Sequence, residues 1–198
     1  MTCYLRVGNF LAMEPSTVRL RLLEHAQTLI QLHGYCGFSF RDLSTLVGVK
    51  TSSIHYYFPA KEDLVLAAVN AYSSRVLGDI AGIAEALPAN KKLQRYGKLL
   101  ARELGEGDQI CLCGMLSADI QSLPDLVRFA VQAFYSANEN WLARVLEEGA
   151  AQGNLQVPGD PVVVARVLYA AYLGSVMSSR LFNARVRINE VTGWLKVL

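Results

Sequence analysis

Between positions 50 and 57 the chain places Lys50, Thr51, Ser52, Ser53, His55, Tyr56 and Tyr57, a run of hydrogen-bonding side chains broken only by Ile54. Two kinds of chemistry use such a set. In a nucleophilic enzyme a hydroxyl needs a base held against it and a third group to orient that base. No Ser-His-Asp arrangement, paired carboxylates or Gly-rich phosphate loop accompanies these hydroxyls, so no catalytic residue is assigned and the chain is expected not to be an enzyme. On a recognition surface the same donors, placed at a helix start, meet phosphate oxygens and base edges. Backbone amides and the positive end of the helix dipole reinforce them there.

Other side chains able to do chemistry are sparse. His25 and His33 are eight apart with no carboxylate at ligand spacing, which argues against a metal site, and no cofactor motif is present. Cys111 and Cys113 are two apart, the wrong spacing for a CxxC redox or zinc pair. The opening "MTCYLRVGNFLAMEP" has one Arg and no apolar run of signal-peptide length. No apolar stretch reaches the roughly 18 residues needed to span a bilayer. A cytoplasmic protein with reduced thiols and no membrane partner is therefore expected. At 18% charged residues and a net charge of +2, any nucleic-acid contacts must be concentrated locally. A hydrophobic content of 52% implies either a large internal cavity or a buried subunit interface.

The elements that would position the polar run are helical. From Pro15-Ser16 the apolar set Leu22, Leu23, Ala26, Leu29 and Ile30 follows the i, i+3, i+4, i+7 rhythm of an amphipathic helix, which Gly34 stops. Ser39 then reads as an N-cap, with Asp42 as a shorter stand-in for the Glu of a capping box. A helix over 40–47 ends at Gly48, and another over 51–57 is closed by Pro59. Lys61 opens a long third one. Further helices are expected from Pro88 to about Leu104, from Pro124 to about Gln152, and from Gly159-Asp160-Pro161 to about Asn183, with a short terminal helix after them. A Gly-rich joint, "GEGD", precedes "QICLCGMLSADIQSL". No segment alternates with period 2 over a strand's length, so the fold class is all-α.

Two short helices joined at Gly48-Val49 form a helix-turn-helix, with Leu43, Val49 and Ile54 as its small core. In such a unit the second helix enters the DNA major groove with its N-terminal residues toward base edges. From about Pro15 to Tyr72 the chain resembles the DNA-binding domain of the TetR family of bacterial repressors, on a first helix ending in "HGY", then "FSFRDLSTLVGVKTSSIHYYF", then "KEDL". The resemblance implies DNA contacts at Ser39, Lys50, Thr51, Ser52, Ser53, His55, Tyr56, Tyr57 and Lys61. Ser52 stands where the family usually has Gly, and His55 where it usually has Tyr. Phe58 reads as a core plug.

Residues 1–14 read as an N-terminal extension carrying little information, and the same resemblance implies a helix-turn-helix DNA-binding domain over 15–72 and a helical ligand-binding and dimerisation domain over 73–198. On the helix from Pro124, positions 126, 129, 130, 133, 137 and 141 form one apolar stripe and 127, 131, 134, 142 and 145 a second. Two apolar faces imply burial on two sides. Helices about 124–152 and 159–183 are therefore the expected homodimer interface, pairing into four helices. The stripes could instead both lie in the monomer's own core. Aromatic and Met residues from Tyr96 to Met177 are as much a core as a pocket, so no inducer contact is assigned. "DQICLCGMLSADIQSLPD" resembles a TetR subgroup whose "GC(x)…LSAE" segment begins an interior helix and in which some members sense electrophiles or oxidants through that Cys. Cys111 matches its position, with Asp119 standing for the Glu, and Cys113 is a candidate second thiol. A helix N-terminus raises thiolate character, whereas Glu103, Glu106 and Asp108 just upstream oppose it.

The function expected is a DNA-binding transcriptional regulator: a homodimeric repressor on a palindromic, inverted-repeat operator in double-stranded DNA, released by an unknown small-molecule inducer or by cysteine modification. The rival is a helical ligand- or lipid-binding protein on the same scaffold that no longer binds DNA.

Overall fold

The computed structural model describes residues 15–103, 109–184 and 186–194, and among them every regular element is helical. The elements are α1 (Pro15–His33), α2 (Phe40–Val47), α3 (Thr51–Tyr57), α4 (Lys61–Ala81), α5 (Ala89–Glu103), α6 (Leu112–Ala118), α7 (Asp125–Ala151), α8 (Pro161–Leu181) and α9 (Val186–Trp194). A single 3-10 turn over Ile120–Ser122 links α6 to α7. The expected N-terminal extension, the "GEGD" joint and the acidic side chains of Glu103, Glu106 and Asp108 lie outside the described residues.

Local chemistry sets these boundaries. Gly34 and Gly48 follow α1 and α2 with φ of 73° and 74°, a left-handed conformation that side chains rarely adopt. Ser39 caps α2 in a reciprocal box with Asp42. At α4 the carboxylate of Asp63 accepts from the Ala60 N–H at 2.9 Å. Asp160 caps α8, accepting from the Val162 N–H at 2.9 Å, with Pro161 as the first helical residue.

α1 packs on α2 and α4, and α2 on α3, with Leu22, Ala26, Ile30, Phe38, Leu43, Ile54, Phe58 and Leu64 buried between them. α4 runs without a break through position 72, so the expected domain division falls inside a helix: its first half lies on α1 and it also packs against α7. Gln27 binds the two helices further, donating to the Ala68 carbonyl at 3.1 Å. In the second half α7 packs against α8, α5 and α6, and α9 covers α5 and α8.

The two stripes of α7 have different fates. Val127, Val131, Phe134, Leu142 and Val145 are buried in the chain's own core, whereas Leu126, Phe129 and Ala133 face outward. α8 likewise exposes Val163, Val167, Ala170, Gly174, Met177 and Leu181, spaced alternately four and three residues apart as in a coiled-coil seam. By length and mean hydropathy alone α8 is the one described helix apolar enough to cross a membrane, although no such stretch was expected. The difference arises because Arg166 and Arg180 interrupt its apolar runs without lowering the average enough. In the bundle it lies against α7 and α9.

Candidate nucleic-acid interface and regulatory interior

α3 is too short to be stable alone, and its sequence divides it into an anchored face and a free one. Ile54 is wholly buried and Phe58, immediately after the helix, nearly so. Their burial contributes roughly 1.5–3 kcal/mol per side chain and helps fix α3 on α2. Val49 and Tyr57 pack partly against the same core. Thr51, Ser52, His55 and Tyr56 face solvent with Lys50 beside them, and Ser53 is half-buried. Tyr56 is 81% exposed, its ring held edge-on by Tyr57 at 5.0 Å between centroids. An apolar ring so exposed gains nothing from the chain's own core, which leaves its hydroxyl and face for a partner. Lys50, the N-cap of α3, makes no side-chain cap bond, so no side chain covers the first amides of α3.

His55 is docked by one nitrogen only. Its Nδ1 lies 3.1 Å from the Pro59 carbonyl and its ring sits edge-on to Phe40 at 4.9 Å. A carbonyl only accepts, so Nδ1 carries the proton. In the neutral ring Nε2 is then an acceptor, and it can donate to a phosphate only when the ring is charged.

Two expected contacts are otherwise engaged. Ser39 donates its N–H to Asp42 Oδ2 at 2.8 Å and its hydroxyl to the same oxygen at 2.6 Å, so both donors serve the α2 cap and a carboxylate stands beside them. These bonds hold the Asp42 carboxyl below its usual range, the Ser39 hydroxyl contributing most. Lys61 turns inward: its ammonium donates to the carbonyls of Tyr35 and Phe38 and lies over both rings, at 4.9 and 4.3 Å from their centroids. Desolvation there lowers the Lys61 ammonium from its usual value. The Tyr35 and Phe38 carbonyls lie in the loop between α1 and α2 without a helical partner, and Lys61 supplies their donor. Only its third N–H is left for an outside partner. Sequence reasoning also passed over Arg41, which is exposed on α2.

The interior of the second half holds the thiols. Cys111 is the buried N-cap of α6, and Cys113 is fully buried inside that helix. Burial pushes the Cys113 thiol well up, with Cys111 beside it adding to the shift, so Cys113 is a poor nucleophile as it stands. A cavity of about 10 Å³, room for one water, is lined by Tyr72, Leu100, Cys111, Tyr169, Tyr172, Leu173 and Val176. Tyr169 and Tyr172 were among the aromatic candidates, but Phe129 and Met177 are exposed instead. Tyr72 and Leu100 carried only helical periodicity as a signal.

The two regions are joined at α6. Ile110 donates its N–H to the Gln31 carbonyl at 3.4 Å, and Asp119, the C-cap of α6, accepts from the Tyr35 N–H at 2.6 Å. Arg180 of α8 donates to the Leu32 carbonyl at 3.1 Å. One short helix thus has Cys111 and the cavity at its start and, at its end, a carboxylate on the loop that Lys61 also braces.

Comparison with known proteins matches both halves. A family model for bacterial regulatory proteins of the tetR family covers residues 22–68, and one for the Tetracyclin repressor-like C-terminal domain covers 93–192. The HTH-type transcriptional repressor NemR of Escherichia coli (strain K12) is 27% identical over 168 residues, 82% of this chain and 84% of that protein. A TetR family transcriptional regulator from Agrobacterium tumefaciens has a TM-score of 0.87 at 30% identity, over 91% of this chain and 96% of that one. The reduced form of E. coli NemR has a TM-score of 0.77 at 22% identity, over 92% and 96% of the two chains, which speaks for the fold alone. With a helix-turn-helix whose second helix turns its polar face outward, and with both halves matched, the chain belongs to the TetR family and is a DNA-binding transcriptional regulator.

Proposed function

We propose that the chain is a homodimeric repressor that reads a short inverted repeat in duplex DNA and leaves it when a small molecule, or modification of Cys111, reaches the interior of its second half. The observation that carries this reading is the divided surface of α3: a buried Ile54 beneath a Tyr56 that is 81% exposed. Thr51, Ser52 and Tyr56 are the base-edge and phosphate contacts, with Lys50, Ser53, Tyr57 and His55 on flanking phosphates. Ser39 and Lys61 hold the scaffold and contribute to DNA mainly through backbone placement.

The outward stripes of α7 and α8 support dimerisation. Leu126, Phe129, Val163, Val167 and Leu181 are large apolar side chains left in water, and a second copy would cover them with a four-helix interface. Two α3 helices held about 34–36 Å apart enter successive major grooves, which makes binding sensitive to their spacing. Cys111 lines the cavity at the N-cap of α6, so a group added to its sulfur would press on α6 directly.

A gel-shift and footprint on DNA upstream of the chain's own gene tests this. The expected result is a protected palindrome, affinity falling steeply with salt, and roughly tenfold weaker binding for Thr51→Ala and Tyr56→Ala. Binding indifferent to salt and to both substitutions overturns it. For the thiol, loss of DNA binding after maleimide treatment should disappear in Cys111→Ser, and a normal response in that variant removes Cys111 from the mechanism.

A further inference from the structure

Three phenols, Tyr72, Tyr169 and Tyr172, line the small cavity, and Tyr96 and Tyr135 pack behind Tyr172 and Tyr169. Tyr96 donates its hydroxyl to Asn138 Oδ1 at 2.9 Å, deep in the core. Tyr135 donates to Ser117 Oγ at 2.9 Å, and that hydroxyl donates in turn to the Gly114 carbonyl at 2.7 Å. Tyr169, 1% exposed and edge-on to Tyr135 at 5.2 Å between ring centroids, has a buried hydroxyl with no hydrogen-bond partner among the described residues. A phenylalanine would pack its ring as well without leaving a polar atom unsatisfied, so the hydroxyl needs another use.

We infer that Tyr169 is the specificity residue of the cavity, donating a hydrogen bond to a small, uncharged, largely apolar molecule that carries one acceptor oxygen. The inference rests on reading the second half as an inducer chamber and adds the chemistry of what enters it. Tyr169 lines the cavity together with Tyr72, Tyr172, Leu100, Leu173, Val176 and Cys111, and none of these lining residues is charged. Burial pushes the Tyr169 phenol well up, so it is present as the O–H donor and demands an acceptor. An anion brought into this lining would lose its hydration with no cation to meet it. A ketone or aldehyde oxygen suits the donor, and its hydrocarbon part suits the rest. The cavity as it stands admits one water, so a larger ligand must widen it, and parting α6 from α8, where Gly114 faces Leu173, is one way to do so.

The test uses the full chain without DNA and a graded set of probes: cyclobutanone, cyclohexanone and cyclooctanone, each against its methylene counterpart in which C=CH₂ replaces C=O. Binding is read by isothermal calorimetry and by the rise in thermal midpoint. The expected result is about tenfold tighter binding of at least one ketone over its counterpart, the worth of one hydrogen bond. In Tyr169→Phe that gap shrinks to less than about twofold while the counterpart binds as before. A gap unchanged in Tyr169→Phe, or no ketone preferred at any ring size, overturns the inference. Tyr169→Phe should also unfold no earlier than the natural chain when empty. An earlier midpoint would mean the hydroxyl holds a structural water and not a ligand, and would overturn it too. Because no DNA is present, these outcomes are independent of whether the operator reading holds.

Discussion

The joint between the halves offers the most telling perturbation, Asp119→Ala. The Asp119 carboxylate accepts from the Tyr35 N–H at 2.6 Å in a half-buried setting. A hydrogen bond to a charged group contributes about 1.5–3 kcal/mol, and partial exposure places this one near the lower end, about 1.5–2 kcal/mol. For a chain of this size that lowers the thermal midpoint by roughly 3–8 °C. Gly34 supplies an internal check. A Cβ added there would lie 2.3 Å from Asp119 Oδ2, and its φ of 73° is itself strained for alanine by about 1–2 kcal/mol. Gly34→Ala therefore suffers both effects, since its methyl drives the carboxylate off the Tyr35 amide. Once Asp119 is alanine, only the backbone strain remains to be added. Urea unfolding of the wild type, both single variants and the double variant closes the cycle, and the double should be less destabilised than the sum of the singles by at least 1 kcal/mol. Strict additivity, or Asp119→Ala within about 0.5 kcal/mol of wild type, refutes the idea that this contact bears on the joint.

Three further outcomes follow from the geometry. Tyr56→Ala should leave stability within about 0.5 kcal/mol while weakening operator binding by anisotropy, whereas Ile54→Ala on the same turn should destabilise by about 2–5 kcal/mol in urea. The ammonium of Lys92, 3% exposed, donates to Glu148 at 2.7 Å, and Glu148 keeps 31% of its side chain in water. That bond lowers the Glu148 carboxyl below its ordinary 4.5, so its stabilisation is present above about pH 4.5 and lost as pH falls through the lowered folded value. Glu148→Gln should accordingly cost about 1 kcal/mol at neutral pH after discounting for solvent, the difference fading in acid; a pH-independent difference contradicts the pairing. Finally, Phe129→Glu with Val167→Glu should convert dimer to monomer in sedimentation without loss of helicity by circular dichroism, since both side chains already face water in the single chain.

How much of this could be read from residue order depends on how far apart the partners lie. Gly34, Gly48 and the Ser39–Asp42 box punctuate the helices locally, so the bounds of α1, α2 and α3 follow from neighbours within a few positions. The division of α3 into Ile54 and Phe58 against Thr51, Ser52 and Tyr56 is likewise a matter of helical phase. Lys61 resisted such reading because its carbonyl partners sit 26 and 23 residues earlier in the chain. Asp119 had meaning in the sequence only as a stand-in for a motif Glu, since its true partner is the amide of a residue 84 positions away. Lys92 looked like any lysine on a polar helix face until α7 brought Glu148 over it. The cavity is assembled from α4, α5, α6 and α8, and no period in any one of them marks which aromatic residue ends with an unsatisfied hydroxyl.

α4 carries a mechanical consequence. Its 21 residues form an unbroken rod, so at about 1.5 Å per residue it spans roughly 31 Å. One end is pinned beside α3 by Lys61, and the other, at Ile80, is buried in the second half. Such a rod works as a lever with gain: a tilt of about 5° at the Ile80 end displaces the Lys61 end by nearly 3 Å, given its length. In a two-fold symmetric dimer the displacements add, so the half-site separation changes by more than the roughly 3.4 Å rise of one base pair. If the chain pairs and reads DNA as proposed, a tilt of that size in the second half is enough to put its two recognition helices out of step with the helical repeat of DNA.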